Sequence, residues 1–579
     1  MNNSESKLRS GSRPKKPKFH GNRFTSSKVK QVQSASEKKL VVVKPIEEVV
    51  ASKFAGYRLV DISFLLNEIS EHLSCKKCGG DIVMQEVLIV GLSSKFEINC
   101  ANCENISAFR SCPMLGKHKS VAEVNRRAVY AMRCIGQGYE GLSTFCGVMD
   151  LPVPLSRKSY DVIVQRLVLA SKNVATISMK DAANEERNKT GSDSIIVSGD
   201  GTWKTRGHSS NIGVCTVVGD LTGKIIDVEV MSKYCKACDS WKGEKKGAEY
   251  RSWKNLHAPY CTKNHTGSSG KMEVDGMVRI FSRSKAEREV MYAKYIGDGD
   301  CKTFTAISDS DPYGPLVKVE KIECVGHIQK RMGTQLRKLK AKMGKTKLSD
   351  GKGLGGRGRL TDAAINMLTS FFGKAIIANK NSLIDMKMGI WALFHHTRSS
   401  DLYPTHDFCP KGKDSWCKYQ RAVVDNTVSK FKHKKSLPTA VMDCIKPVFK
   451  NLSSPDLLRR CLGGKTQNKN ESVNALIWKM CPKISGCGRR IAKIAVNEAI
   501  VAFNEGKQGR LLVMKDLEFL LSQHSISAAK NADVQRIKTS KIRCKAASLQ
   551  ARRAKRLATL AQNENLKLKE GVVYEAGGF

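Results

Sequence analysis

Apolar positions along this chain fall into short runs, helical stripes and long polar stretches, and each predicts a different element. Ile195-Ile-Val197 is an apolar run that ends in Ser198, Gly199, Asp200 and Gly201, residues that stop strands and expose backbone. It predicts a buried strand with one carboxylate, Asp200, at its end. Two further runs, Ile212-Gly-Val-Cys-Thr-Val-Val218 and Lys224-Ile-Ile-Asp-Val-Glu-Val-Met231, flank the turn Gly219-Asp-Leu-Thr-Gly223, so the three predict an antiparallel meander. Met291-Tyr-Ala-Lys-Tyr-Ile296 predicts another strand, which also runs into glycine and acid, Gly297-Asp-Gly-Asp300. Residues 317–324 predict one more. Helical spacing marks 121–132, 143–149, 160–172, 271–290 and most of 361–450. Residues 173–194 are polar and read as a linker. Trp391, Phe394, His395 and His396 read as core or groove residues. Val473, Leu476 and Ile477 give a last apolar helix face, with Glu471 in the first turn.

The cysteines change this picture. Twenty of them in a long chain, several at Cys-x-x-Cys spacing and with no signal-peptide apolar region, point to zinc and reduced thiols rather than disulfides. Cys75-x2-Cys78 and Cys100-x2-Cys103 have the two-knuckle spacing of a tetrahedral site. Between them, Ile82-Val-Met84 and Val87-Leu-Ile-Val90 suit the strands of a zinc ribbon. Cys235-x2-Cys238 and Cys261-x3-His265 predict a second, Cys3His site, with His257 as the alternative fourth ligand.

Charge narrows the partner. Lys and Arg number 99 against 54 Asp and Glu, a formal net charge of +45. Such an excess calls for a polyanion, and nucleic acid fits better than a membrane surface because no basic amphipathic anchor stands out. No apolar run approaches the ~18 residues of a membrane span, so a soluble intracellular protein is expected. Residues 1–40 are basic and poor in apolar residues, a composition that predicts a disordered arm. The 530–569 tail is also basic, but its alanines and leucines allow a helix. Arg13-Pro-Lys-Lys-Pro-Lys18 and Arg552-Arg-Ala-Lys-Arg556 are candidate nuclear-import signals. Residues 326–352 carry nine Lys/Arg and one acid, and the glycine-rich Lys352-Gly-Leu-Gly-Gly-Arg-Gly-Arg359 that follows predicts a flexible phosphate-contacting loop, although no Gly-Lys-Ser/Thr makes it a P-loop.

Several of these motifs together resemble the Mutator-like DDE transposases, in particular the animal branch. They are Ser198-Gly-Asp-Gly-Thr-Trp203, Tyr295-Ile-Gly-Asp-Gly-Asp300, Cys324-Val-Gly-His-Ile-Gln-Lys-Arg331 and Gln467-Asn-Lys-Asn-Glu-Ser472. The resemblance covers roughly 55–510. It implies an α/β fold: a ribonuclease H-like core with a mixed sheet, an all-α insertion before the last acid, and beside it the two zinc-binding segments. It also implies cut-and-paste movement of DNA. Carried over, Asp200, Asp298 (or Asp300) and Glu471 are the catalytic acids and hold two Mg²⁺ or Mn²⁺ ions. Cys324 and His327 match a Cys-x2-His element that is structural or DNA-contacting. His327, Lys330, Arg331, Arg337, Lys338, Arg357 and Arg359 are expected on DNA phosphates.

The expected organisation is a basic arm (1–55), a zinc ribbon (56–115) and a helical region (116–190) that is either a helix-turn-helix-like DNA reader or a packing collar for the next domain. The first part of the core follows (191–335, with a zinc insertion at 232–268), then a helical insertion (336–460), the last part of the core (461–510) and a basic tail (511–579). The function implied is metal-dependent strand cleavage and strand transfer in the nucleus. The substrates are duplex terminal inverted repeats and target DNA, handled by a homo-oligomer with structural Zn²⁺ and no membrane partner. The alternative is a catalytically inactive, host-recruited, zinc-containing DNA-binding protein.

Overall fold

The computed structural model describes residues 33–40, 56–205, 209–298, 301–433, 436–484, 486–545, 548–552, 554 and 558. Most of the basic arm, much of the tail, Asp300 and the greater part of both import motifs lie outside the described residues. The chain divides into two compact units, residues 42–530 and residues 1–41 with 531–579. In the smaller unit the end of the arm is a short helix, Ala35–Leu40, whose Glu37 meets Lys541 at 2.8 Å.

In the larger unit a helix, Ile62–His72, precedes an antiparallel ribbon of β1 (Ile82–Val90), β2 (Ser93–Cys100) and β3 (Glu104–Arg110). The two apolar runs between the knuckles form one strand, not two, with a bulge between Glu86 and Leu88. Three helices follow: α1 (Glu123–Cys134), α2 (Tyr139–Val148) and α3 (Arg157–Thr190).

Helix α3 overturns the linker expected at 173–194. Its buried stripe there is Val174, Ala175, Met179, Ala182 and Ala183, small side chains that leave the stretch polar on average. Glu186 is also fully buried, and its carboxylate accepts from the backbone N–H groups of Leu221 and Thr222 at 2.7 Å and from Thr222 Oγ1 at 2.6 Å. The charge that suggested solvent therefore caps the Gly219–Gly223 turn.

The central sheet is built from β4 (Ser194–Trp203), β5 (Ile212–Gly219), β6 (Ile225–Ser232), β7 (Met291–Gly297) and β8 (Glu320–Glu323), in the order β8-β7-β4-β5-β6. β4, β5 and β6 are the antiparallel meander, whereas β7 runs parallel to β4 and β8 parallel to β7. β4 does not stop at its glycines: β5 pairs with it from Val197 to Trp203, while β7 pairs only up to Ser198. Asp200 therefore lies within β4, just past the point where β7 leaves it.

Helix α4 (Ser269–Arg288) covers one face, packing Met277, Ile280 and Phe281 with Ile195 and Val197. Gly199 and Gly201 are required on that face, because a Cβ would stand 2.5 Å from the Tyr295 ring or 2.6 Å from the Glu273 carboxylate.

After β8 come α5 (Val325–Met343), α6 (Asp362–Ala378), α7 (Leu383–Arg398), α8 (Lys418–Val424), α9 (Thr439–Leu452) and α10 (Pro455–Arg460). Most of these share a second core that includes Ile328, Met332, Phe372, Phe394 and Phe449. The chain then returns through α11 (Asn468–Met480) and α12 (Arg489–Asn504), which join α3 in a core on the sheet. Among the described residues no helix is long and apolar enough to cross a membrane.

Candidate functional site

Helix α11 and the residue before it are fastened to β4 by four side chains on one helical face. Gln467 Nε2 donates to the Gly199 carbonyl at 2.6 Å. Asn470, fully buried, accepts from Ser198 Oγ at 2.7 Å and donates to the carbonyls of Ser198 and Thr216 at 3.1 and 3.2 Å. Asn474 Nδ2 donates to Asp200 Oδ2 at 2.7 Å, and Trp478 Nε1 to Thr202 Oγ1 at 2.8 Å. Two strand residues advance about 6.7 Å and four helix residues about 6 Å, so positions 198, 200 and 202 keep step with 470, 474 and 478. Sequence reading missed these residues; the available signal was the spacing of polar side chains at 467, 470 and 474 opposite a strand expected to be buried.

This register leaves Asp200 half-buried, and desolvation there pushes its carboxyl from 3.8 up to about 6. The Asn474 hydrogen bond and the charge of His327 oppose that rise, whereas the charges of Asp298 and Glu471 add to it. Asp298 and Glu471 are thus near enough to Asp200 to oppose its ionisation, although the three carboxylates are not among the side-chain clusters of the described residues whose ligand atoms lie within 4.8 Å of one another. Asp298 follows β7, and Glu471 is exposed in the first turn of α11. His327 stands in the first turn of α5 with Nδ1 3.5 Å from Asp298 Oδ1. A hydrogen bond with Cys324 raises the imidazole above its ordinary value. Burial pushes the Cys324 thiol up, but its hydrogen bonds with His327 and with the Gln467 N–H (3.4 Å) outweigh that and lower it. An imidazole whose charged form is favoured, beside a thiol whose anion is favoured, therefore borders the acids.

The expected phosphate contacts differ in exposure. Lys330, Arg337, Lys338 and Arg357 are exposed, with Arg337 bonded to Asn366 at 2.7 Å. Arg331 is half-buried, 3.9 Å from Glu323. Arg359 departs from expectation: it is buried and bonds both oxygens of Asp350, at 2.5 and 3.1 Å. The glycine-rich loop folds this guanidinium inward onto the only acid of the basic stretch, which takes it out of the DNA-facing set.

Cys75, Cys78, Cys100 and Cys103 converge in a cluster that could hold zinc, with Cys78 and Cys100 Sγ 3.4 Å apart. The Gly80 N–H bonds Cys78 Sγ at 3.4 Å and lowers that thiol to about 7. In the second cluster, Cys235, Cys238 and Cys261 are joined by His257, whose Nε2 is 3.3 Å from Cys235 Sγ. His265, the expected ligand, lies outside it. Its ring is buried with Nδ1 3.3 Å from Asp275, while a short helix, Ala248–His257, delivers His257 and stacks it on Trp253. His396 also departs from a simple core role, since its Nδ1 lies 3.2 Å from that of His406.

The family model for Mutator-like transposases matches residues 56–417, more than half of the chain. The chain belongs to the Mutator-like transposase family. No curated protein and no solved structure gives a match. Membership gives this Mutator-like transposase a transposase role with DNA as partner. The matched segment contains Asp200, Asp298, Cys324, His327 and the first two cysteine clusters; Glu471 lies beyond it.

Proposed function

We propose that this Mutator-like transposase cuts DNA where β4, β7 and α11 meet, and joins the released 3′ end to target DNA. Asp200, Asp298 and Glu471 would hold a pair of Mg²⁺ or Mn²⁺ ions. One observation carries the reading: Asn474 on α11 holds Asp200 on β4 at 2.7 Å, which sets the helix bearing Glu471 beside that carboxylate, with Asp298 close enough to act on it as well. Three carboxylates brought toward one place are suited to a divalent cation, and the donors fit one. Carboxylates are hard oxygen ligands, and the amide oxygen of Asn474, next to Asp200, is buried without a hydrogen-bond partner. The strand order β8-β7-β4-β5-β6, three antiparallel strands followed by two parallel ones, supports a ribonuclease H-like core.

Divalent ions held by these residues would supply Lewis acidity to the phosphoryl displacement. The protein's own groups supply position. Asn474 holds Asp200 in one orientation, and His327, whose charged form is favoured, steadies Asp298 and attracts phosphate. Lys330, Lys338 and Arg357 track the backbone. Water attacks the scissile phosphorus and the 3′ oxygen leaves. That 3′-hydroxyl then attacks a target phosphorus and displaces a second 3′ oxygen. We place this work in the nucleus, on paired inverted-repeat ends held by a homo-oligomer.

The test is cleavage of duplex bearing the inverted-repeat ends in Mg²⁺ or Mn²⁺ by the parent and by Asp200→Asn, Asp298→Asn and Glu471→Gln. Each variant should lose at least about 100-fold in cutting and keep its DNA binding. An Asp200→Asn protein that cuts as well as the parent would exclude the assignment. A parent that binds this DNA but never cuts it would favour the recruited DNA-binding protein instead.

A further inference from the structure

Four side chains in the helical insertion converge far from the acids in sequence: His396 at the end of α7, His406 and Cys409 in the irregular stretch that follows, and Cys417 at the start of α8. We propose that these four bind a structural Zn²⁺ ion, oriented by His433 and Asp401.

The geometry is that of a tetrahedron. Zinc bonds of about 2.0–2.1 Å to nitrogen and about 2.3 Å to sulfur give edges of about 3.3 Å between two nitrogens and about 3.6 Å between nitrogen and sulfur. Between the Nδ1 atoms of His396 and His406 the distance is 3.2 Å. From Cys409 Sγ both nitrogens are at 3.7 Å, and from Cys417 Sγ they are at 3.6 and 3.4 Å. A packed core has no reason to bring two ring nitrogens and two thiols to one point at these separations. One metal ion does.

The protons around the cluster fit the same conclusion. His433 Nδ1 is 2.7 Å from Asp401 Oδ1, so it donates there and leaves Nε2 as an acceptor. That Nε2 lies 2.9 Å from His406 Nε2, with Ser399 Oγ 2.9 Å from both. His406 therefore carries its proton on Nε2 and presents a bare Nδ1 to the cluster, the tautomer a metal ligand needs. Four protein ligands with two thiolates leave no open position, which marks the site as structural and favours zinc over hard cations. Its task is legible in the chain: residues 399–417 contain no helix or strand, and a loop this long inside a compact unit needs a staple.

The test is the metal content of the full-length chain purified under reducing conditions, with Cys417→Ser, Cys75→Ser and Cys235→Ser alongside. Three zinc ions per chain are expected in the parent and two in Cys417→Ser. Asp401→Asn, which leaves all four ligands in place, should hold the third ion about 10–100-fold more weakly in a chelator titration. This variant keeps the proposal testable if Cys417→Ser does not fold. A Cys417→Ser chain with the parent's zinc content would overturn the proposal, and so would an Asp401→Asn chain that releases no ion more readily than the parent. Loss of an ion in Cys75→Ser or Cys235→Ser alone bears on those clusters and counts against this one.

Discussion

Asp200 carries an energetic cost that can be measured. Its folded value of about 6 lies above its ordinary 3.8, so the folded state takes up a proton more readily than the unfolded chain in that window. The contribution of Asp200 to stability is thus most favourable below about pH 4 and is lost as pH rises through about 6. The displacement corresponds to about 3 kcal/mol, as an order of magnitude. Asp200→Asn should therefore raise the unfolding free energy in metal-free buffer at pH 7.5 by up to that amount and leave it unchanged near pH 3.5. Denaturant melts at the two values check this, and an equal effect at both would remove the electrostatic cause. Asn474→Ala should act in the other direction on function, freeing Asp200 and slowing cleavage by about 10-fold or more with DNA affinity retained. Asp200 and Asp298 were legible in the sequence because each follows or sits within an apolar run broken by glycine, whereas Glu471 stands out only through the Gln467–Ser472 motif. The histidine of the second cysteine cluster was not legible: His257 and His265 both lie near Cys261, and only packing shows that one ring is buried beside Asp275 while a helix carries the other to the thiols.

At the scale of elements, the strands were the most readable part, since uninterrupted apolar runs mark β4, β5 and β7 with little ambiguity. Helix α3 was concealed by its own chemistry, because alanines make a narrow apolar stripe and Glu186 is a charge spent on backbone N–H groups. Glu186→Ala should cost about 2–4 kcal/mol by leaving those donors buried and unpaired, as a chemical-denaturation curve would show; a neutral substitution would mean the turn does not depend on the helix. Asn470 holds α11 to two strands at once. Asn470→Ala should destabilise the chain by a similar amount and also cut activity through Glu471, one residue along. A variant equally destabilised in the insertion core, Phe394→Leu, should leave activity of the folded fraction nearly intact.

In the whole molecule, a sheet and a separate helical core share the chain, and the last acid returns to the sheet only after the helical core is complete. Periodicity announced the helical content of that insertion but not its irregular, cysteine-bearing stretch, because the four ligands there do not follow a familiar short spacing. The charge excess has a direct consequence for binding. Replacing Lys330 and Lys338 by alanine should reduce the slope of log affinity against log salt by about 2, and an unchanged slope would place the DNA elsewhere. The meeting of Asp200, Asp298 and Glu471 around a shared ion is the claim that matters most. Fe²⁺ can replace Mg²⁺ in such sites and, with ascorbate and peroxide, cleaves backbone near the ion. Mapping those cuts should give fragments ending near residues 200, 298 and 471, all suppressed by excess Mg²⁺ and absent in Asp200→Asn. Cuts confined to one of the three positions, or unaffected by Mg²⁺, would contradict a common metal site.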